Sequence, residues 1–232
     1  MKESYLAMYK VVVLTYDVPH RKTFDVLCRL KVLGYHDVTV LAFPFHYQKK
    51  FIPLIEHRPE GNGISTKSVC KNFNYLYKED LQNIPIFEKE TRILICGAGI
   101  IPQENIENNI YINSHPGYIP DVRGLDALKW AIMEDKPIGC TTHLLGKEID
   151  AGLVIERKEV PIYLGDTFHA LATRVYEQEI QMLVDAIEKV NDVKEYFSGG
   201  NNIVHKRMPH EIEMGLIQKF EARKKSLMQK GE

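Results

Sequence analysis

Lys10-Val11-Val12-Val13-Leu14 is a run of β-branched and aliphatic residues between polar neighbours, the pattern of a strand buried on both faces. Working outward, Phe24, Leu27, Leu30 and Leu33 recur at roughly helical spacing, and Gly34 is placed to cap that helix. Val38 to Phe43 supplies a second strand. Strand, helix, strand in this order begins a doubly wound sheet, so the expected class is α/β, Rossmann-like, with a mostly parallel sheet.

The rest of the chain extends that reading. Arg92 to Cys96, Ile110 to Ile112, Ile138 to Leu144 and Leu153 to Tyr163 read as further strands. Leu125, Leu128 and Ile132 step down one face of a helix that also holds Trp130, a core candidate. Asp166-Thr167 reads as the N-cap of a long amphipathic helix running to Val190. Between Pro44 and Phe87 the pattern is weaker, with Pro53 and Glu60-Gly61-Asn62-Gly63 interrupting it, and its aromatics suit either a peripheral core layer or a ligand cleft. Near the C-terminus, Ser198-Gly199-Gly200-Asn201-Asn202 separates two strand-like runs, which predicts a small β-hairpin, followed by a helical, charged tail from Glu211. The expected organisation is a catalytic domain over 1–191 and a hairpin and helical appendage over 192–232.

Composition narrows the function classes. The chain has 232 residues, 44% of them hydrophobic, enough for a sizeable core. Thirty basic against thirty-one acidic residues leave a net charge of -1, without the global positive field that nucleic-acid binding usually shows. The four cysteines, Cys28, Cys70, Cys96 and Cys140, form no C-x-x-C and sit mostly in apolar runs, the usage of reduced core thiols in a cytoplasmic protein. The first residues lack a signal-peptide h-region, and no apolar stretch approaches the ~20 residues of a membrane span. A cytoplasmic protein without membrane or nucleic-acid partners is the expectation.

The chemistry gathers at Asn113-Ser114-His115-Pro116-Gly117. Side chains alternate along a strand, so Asn113 and His115 can face one bound atom at the carboxyl end, where ligands of open α/β sheets bind. An amide donor, an imidazole and a later carboxylate are the parts needed to move an acyl group. Arg123-Gly124, Thr142-His143 and Asp150-Ala151-Gly152 follow in order.

The runs INSHPGYIPDVRG, PIGCTTH and EIDAGLVI together resemble the 10-formyltetrahydrofolate-dependent formyltransferases. That resemblance implies catalytic roles for Asn113, His115 and Asp150, with 10-formyltetrahydrofolate as formyl donor. It implies folate contacts at Ile100, Ile101 and Pro102 after the Gly97-Ala98-Gly99 turn, and at Leu144, Gly146 and Ile149 in the later loop. His143 would support Asp150 or its loop, and no metal is implied. Two relatives within formyl transfer are set aside on length: the methionyl-tRNA enzymes resemble one another in a C-terminal β domain, and the deformylases in an N-terminal regulatory domain, that this chain has no room for. A His115, His143 and Asp150 metal site, or a non-catalytic folate or nucleotide module, are readings of another class.

The acceptor is read from the turn after the first strand. Glycinamide ribonucleotide formyltransferases resemble each other in a glycine- and serine-rich turn there that grips the acceptor's phosphate. Here the turn is Thr15-Tyr16-Asp17-Val18-Pro19-His20, without glycine. His115-Pro116-Gly117-Tyr118 with Arg123-Gly124-Leu125-Asp126 looks more like the sugar N-formyltransferases. The expected acceptor is a nucleotide-linked, dTDP-type, 4-amino-deoxysugar for O-antigen or another surface polysaccharide, held by Tyr118, Arg123 and Lys129 in a homodimer. Glycinamide ribonucleotide is the alternative.

Overall fold

A computed structural model describes residues 9–45, 51–79, 81, 83–99, 101–146, 152–192, 195–197 and 203–228. The chain divides into two compact units: residues 1–48, 60–113 and 183–191 form one, and 49–59, 114–182 and 192–232 the other. An eight-stranded sheet runs, in spatial order, through Leu76–Lys78, Val38–Phe43, Val11–Tyr16, Arg92–Ile95, Ile110–His115, Gly139–Leu144, Gly152–Glu159 and Glu195–Phe197, and a two-stranded sheet pairs Val204–His205 with Arg123–Gly124.

In the first unit, β1 (Val11–Tyr16) pairs in parallel with β2 (Val38–Phe43) on one side and with β4 (Arg92–Ile95) on the other. Val11 to Leu14 and Thr15 have no exposure, as a strand covered on both faces requires. The helix α1 (Arg21–Val32) buries Thr23, Val26, Leu27 and Leu30; of the four residues that the apolar spacing marks, Leu27 and Leu30 are buried, Phe24 is half-buried and Leu33, just past the helix end, is 52% exposed. Gly34 follows it at φ 84, the left-handed conformation glycine tolerates, and its amide bonds Lys31. The weakly patterned stretch holds α2 (Thr66–Phe73) and a short edge strand, β3 (Leu76–Lys78), parallel to β2. A six-residue helix, α3 (Gln103–Asn108), leads to β5 (Ile110–His115), whose first residues pair in parallel with β4. Strand order reverses at β1, between β2 and β4, which is where ligands sit in such sheets.

In the second unit, β6 (Arg123–Gly124) precedes α4 (Ala127–Met133), and β7 (Gly139–Leu144) runs antiparallel to β8 (Gly152–Glu159). The long helix α5 (Phe168–Lys189) starts as expected: Thr167 Oγ1 accepts the Ala170 amide at 3.1 Å. Asp166 has a different task. Its carboxylate receives the Tyr163 amide and a two-pronged bond from Arg174, and these hold its pKa below the usual carboxylate range. The core joins Val122, Leu128, Ile132, Ile138, Phe168, Leu171 and Val175 to Leu216 and Phe220 of the last helix. Trp130 packs partly buried against it, its indole N–H donating to Lys206.

A 3-10 turn, Val190–Asp192, follows α5. The two strands beyond it, β9 (Glu195–Phe197) and β10 (Val204–His205), do not pair with each other. β9 adds antiparallel to β8, and β10 adds parallel to β6, so the expected hairpin is replaced by two separate sheet extensions. The physical reason is that β8 and the 123–124 segment each present backbone groups that need a partner. The turn residues 198–202 lie outside the described residues. Two helices, α6 (His210–Glu213) and α7 (Leu216–Met228), follow, and 192–232 belong to the same unit as 49–59 and 114–182. No described helix is long and apolar enough to cross a membrane.

Candidate active site

Asn113 is partly buried near the end of β5, and two residues on His115 is 6% exposed. Both lie on this one strand, two residues apart. The chain then turns through Pro116 and Gly117. A Cβ built on Gly117 would lie 2.6 Å from His115 Nε2 and 2.7 Å from the Val122 carbonyl, so the imidazole edge rests on the bare glycine backbone. Among natural residues only glycine fits there.

His143 is 1% exposed on β7, its Nδ1 3.2 Å from the Leu144 carbonyl oxygen. A carbonyl can only accept, so in that bond Nδ1 carries the hydrogen. The pairing of β7 with β8 slips between Thr142 and His143, a bulge of the kind that re-aims a side chain. The loop that follows is closed at its base by Gly152. It sits at φ 129, and a Cβ there would come within 2.3 Å of the Leu144 carbonyl and 3.0 Å of the Gly146 amide nitrogen. The glycine of Asp150-Ala151-Gly152 is thus a requirement of the loop closure. Asp150 itself lies outside the described residues, as do Ile149 and Ile100.

Of the other expected contacts, Ile101 is buried and Pro102 exposed at the start of α3, while Leu144 and Gly146 are half-buried where β7 ends. Tyr118 is half-buried, its Cδ2 3.0 Å from a Cβ built on Gly139. Arg123 is 2% exposed with its guanidinium 5.3 Å from the centre of the Phe197 ring.

Lys129 corrects the sequence reading. It is fully buried and ion-paired to Glu213, not displayed to a substrate. Burial alone would raise the Glu213 pKa, but the bonds from Lys129 and from the amides of Leu54 and Ile55 outweigh it and leave the carboxyl below its ordinary range. The charge at position 129 looked like a phosphate holder because its partner is 84 residues away along the chain. A parallel clasp forms at Asp126, a left-handed residue at φ 53 whose carboxylate accepts the Met208 amide at 2.9 Å and Arg207 at 3.0 Å.

His57 was not legible as part of this region. Its Nε2 is 3.9 Å from Asp126, and burial, helped by the charges of Arg58 and Lys129, pulls its pKa down to about 4. It lines a cavity of about 10 Å³ with Arg58, Pro116, Leu128, Ala172, Val175 and Tyr176, space for about one water and far too little for a folate. Among the described residues no group of three or more His, Cys, Asp or Glu gathers as metal ligands would. Asp150, a member of the alternative metal set, is not among those residues.

A doubly wound sheet that delivers Asn-x-His to a strand end, with a histidine and a glycine-closed loop following, defines a class of group-transfer fold. Residues 76–187 match the formyl transferase family. It is 32% identical over 140 residues to the trifunctional purine biosynthetic protein adenosine-3 of Gallus gallus, a match covering 57% of this chain and only 14% of that protein. Among solved structures, it is similar to the N-formyltransferase of Helicobacter canadensis in complex with folinic acid and dTDP-3-aminofucose. That likeness has a TM-score of 0.61 at 15% identity and covers 92% of this chain and 81% of the other. The phosphoribosylglycinamide formyltransferase of Streptococcus pneumoniae is similar with a TM-score of 0.50 at 16% identity, covering 79% of this chain and 99% of the other. At these identities the likeness is one of fold.

Proposed function

We propose that the protein transfers the formyl group of 10-formyltetrahydrofolate to the amine of a nucleotide-linked 4-amino-deoxysugar, the dTDP form being the expected carrier. In a ternary complex the neutral amine attacks the formyl carbon. The resulting oxyanion is stabilised by Asn113 and a protonated His115, and Asp150 favours that imidazolium. Collapse breaks the bond from the formyl carbon to the folate nitrogen, which takes up a proton, and the amine loses one, giving a formamide and tetrahydrofolate. Ile101, Pro102, Leu144 and Gly146 are the proposed folate contacts, and Tyr118 with Arg123 remains on the acceptor side. The working unit is proposed to be a cytoplasmic homodimer serving surface-polysaccharide synthesis.

The observation that carries the acceptor is the turn after β1. Asp17 Oδ1 there accepts the Phe45 amide at 3.0 Å, and Tyr16 OH donates to the Ala98 carbonyl at 2.9 Å. A phosphate cradle needs converging amides or cations. This turn instead presents a carboxylate and a phenol ring, which suits an acceptor without a phosphate at that point. The structural neighbour bound to dTDP-3-aminofucose supports a dTDP-linked amino-sugar as the class of acceptor, with its own amine at position 3 and not 4.

The test is a side-by-side measurement of kcat/KM for a panel of dTDP- and UDP-linked amino-sugars and for glycinamide ribonucleotide, with light scattering on the same preparation. An amino-sugar preferred by ~10²-fold or more, on a particle of two chains, is expected. A higher value for glycinamide ribonucleotide would overturn the assignment, and the 26.8 kDa mass of a single chain would remove the dimer.

A further inference from the structure

Thr141 lies in the middle of β7, fully buried, where a β-branched residue would pass as an ordinary strand former. Its hydroxyl is used twice. Oγ1 donates to the Gly117 carbonyl at 2.9 Å and accepts the Ile119 amide at 3.0 Å, so one side chain spans the turn that follows His115. Gly117 is the residue on which the imidazole rests, its absent Cβ lying 2.6 Å from Nε2 and 2.8 Å from Cδ2. The hydroxyl therefore fixes the wall of the imidazole.

The same turn is held from its far side. Arg157 Nε donates to the Ile119 carbonyl, and its two terminal nitrogens lie 2.5 and 3.0 Å from the Glu195 carboxylate oxygens. The guanidinium is a rigid fork, so its carboxylate partner fixes the direction in which Nε points. Gly117 O and Ile119 N belong to buried residues, and a partner lost from either is costly to replace. A turn released from Thr141 would shift to find water. The distances at Gly117 leave no slack for that without moving the ring.

We propose that Thr141 is a positioning residue for His115: its hydroxyl locks the 116–119 turn, and the turn sets where the imidazole sits. The inference deepens the formyl-transfer reading and rests on it for its kinetic consequence. A misplacement of about 1 Å at a reacting group can cost on the order of 10²-fold in rate.

The experiment compares Thr141→Val, which keeps the shape and removes the hydroxyl, with Thr141→Ser, which keeps the hydroxyl and removes the methyl. In the valine variant kcat should fall about 10-fold or more with both KM values within about threefold, while the serine variant should stay within about threefold in kcat. The second readout needs no substrate. The His115 ring resonances, assigned by their loss in His115→Gln, should shift in the valine variant and stay in place in the serine variant. If the valine variant does not fold, Thr141→Ala takes its place in both measurements. An unmoved His115 resonance in the hydroxyl-free variant, or a serine variant as slow as it, would reduce Thr141 to a core residue. Should the wild type formylate no amino-sugar, the functional reading fails, while the resonances still decide the positioning role.

Discussion

Two turns at the carboxyl ends of parallel strands are built in opposite ways. The turn after β1 is filled by its own side chains: Thr15 and Thr23 share a 2.6 Å hydrogen bond, His20 Nδ1 lies 2.9 Å from Thr23, and the Tyr16 ring occupies the space beside Gly97. The turn after β5 is emptied of side chains at the place that matters. Gly117 offers only backbone to His115, and its carbonyl is held by a hydroxyl from another strand. Strand topology alone favours the end of β1, where the strand order reverses. What separates them is whether the local residues spend their polar groups on one another or leave an ionisable ring supported and presented.

The largest effect that would test this contrast is at His115. If the second turn exists to present the imidazole, His115→Ala should lower formyl transfer by ~10² to 10³ with folding intact. A variant that keeps more than about a tenth of wild-type turnover would make the two turns equivalent and remove His115 from the chemistry.

The next effect is on stability, behind the same turn. His57 shares a small cavity with Pro116 and has a pKa of about 4 in the folded protein, because burial disfavours its charged form. In the unfolded chain its pKa is the ordinary value near 6.5, so between pH 6.5 and 4 the unfolded state binds the extra proton. Stability is then complete above about pH 6.5 and falls as pH drops towards 4, by about 3 kcal/mol for this group. Glu213, with a lowered pKa, adds its loss only below its ordinary value of 4.5. Urea unfolding of the wild type and His57→Gln from pH 7 to 4.5 checks the assignment. Parallel acid losses in the two proteins would show that His57 is not their source.

Much of this was legible in the sequence, for reasons that differ by element. β1, α1 and β2 carry their burial in runs and periods a few residues long, so their bounds are nearly those the pattern marks. Asn113, His115 and His143 stand out because motif spacing survives in a single chain, and the structure places the first two on β5 and the third on β7. Lys129 was misread, and Glu213, Asp126 and His57 were not seen as a connected group. Their partners are far apart in sequence: Lys129 and Glu213 are 84 residues apart, and Glu213 also receives an amide 159 residues away. A buried ion pair leaves no periodic trace, and a charged residue reads by default as solvent-facing. The hairpin failed for a related reason. Turn chemistry at 198–202 says that the chain bends, but it cannot say that each arm will find a better strand than the other arm.

The smallest effect probes the first turn. Tyr16 OH donates to the Ala98 carbonyl at 2.9 Å, and burial raises the phenol's pKa, so the group is a neutral donor at physiological pH. Its ring lies so close to Gly97 that a Cβ there would stand 2.7 Å from Cδ2 and Cε2. Tyr16→Phe keeps this packing and removes one partly buried hydrogen bond, worth about 1 kcal/mol. If the first turn is only filled space, the variant should unfold at slightly lower denaturant and keep kcat for the amino-sugar acceptor within about threefold. A drop in kcat of tenfold or more without that loss of stability would mean that the phenol acts on the reaction. The first turn would then be a second presenting turn, and the proposed lack of a phosphate cradle would need another explanation than side chains packed for stability alone.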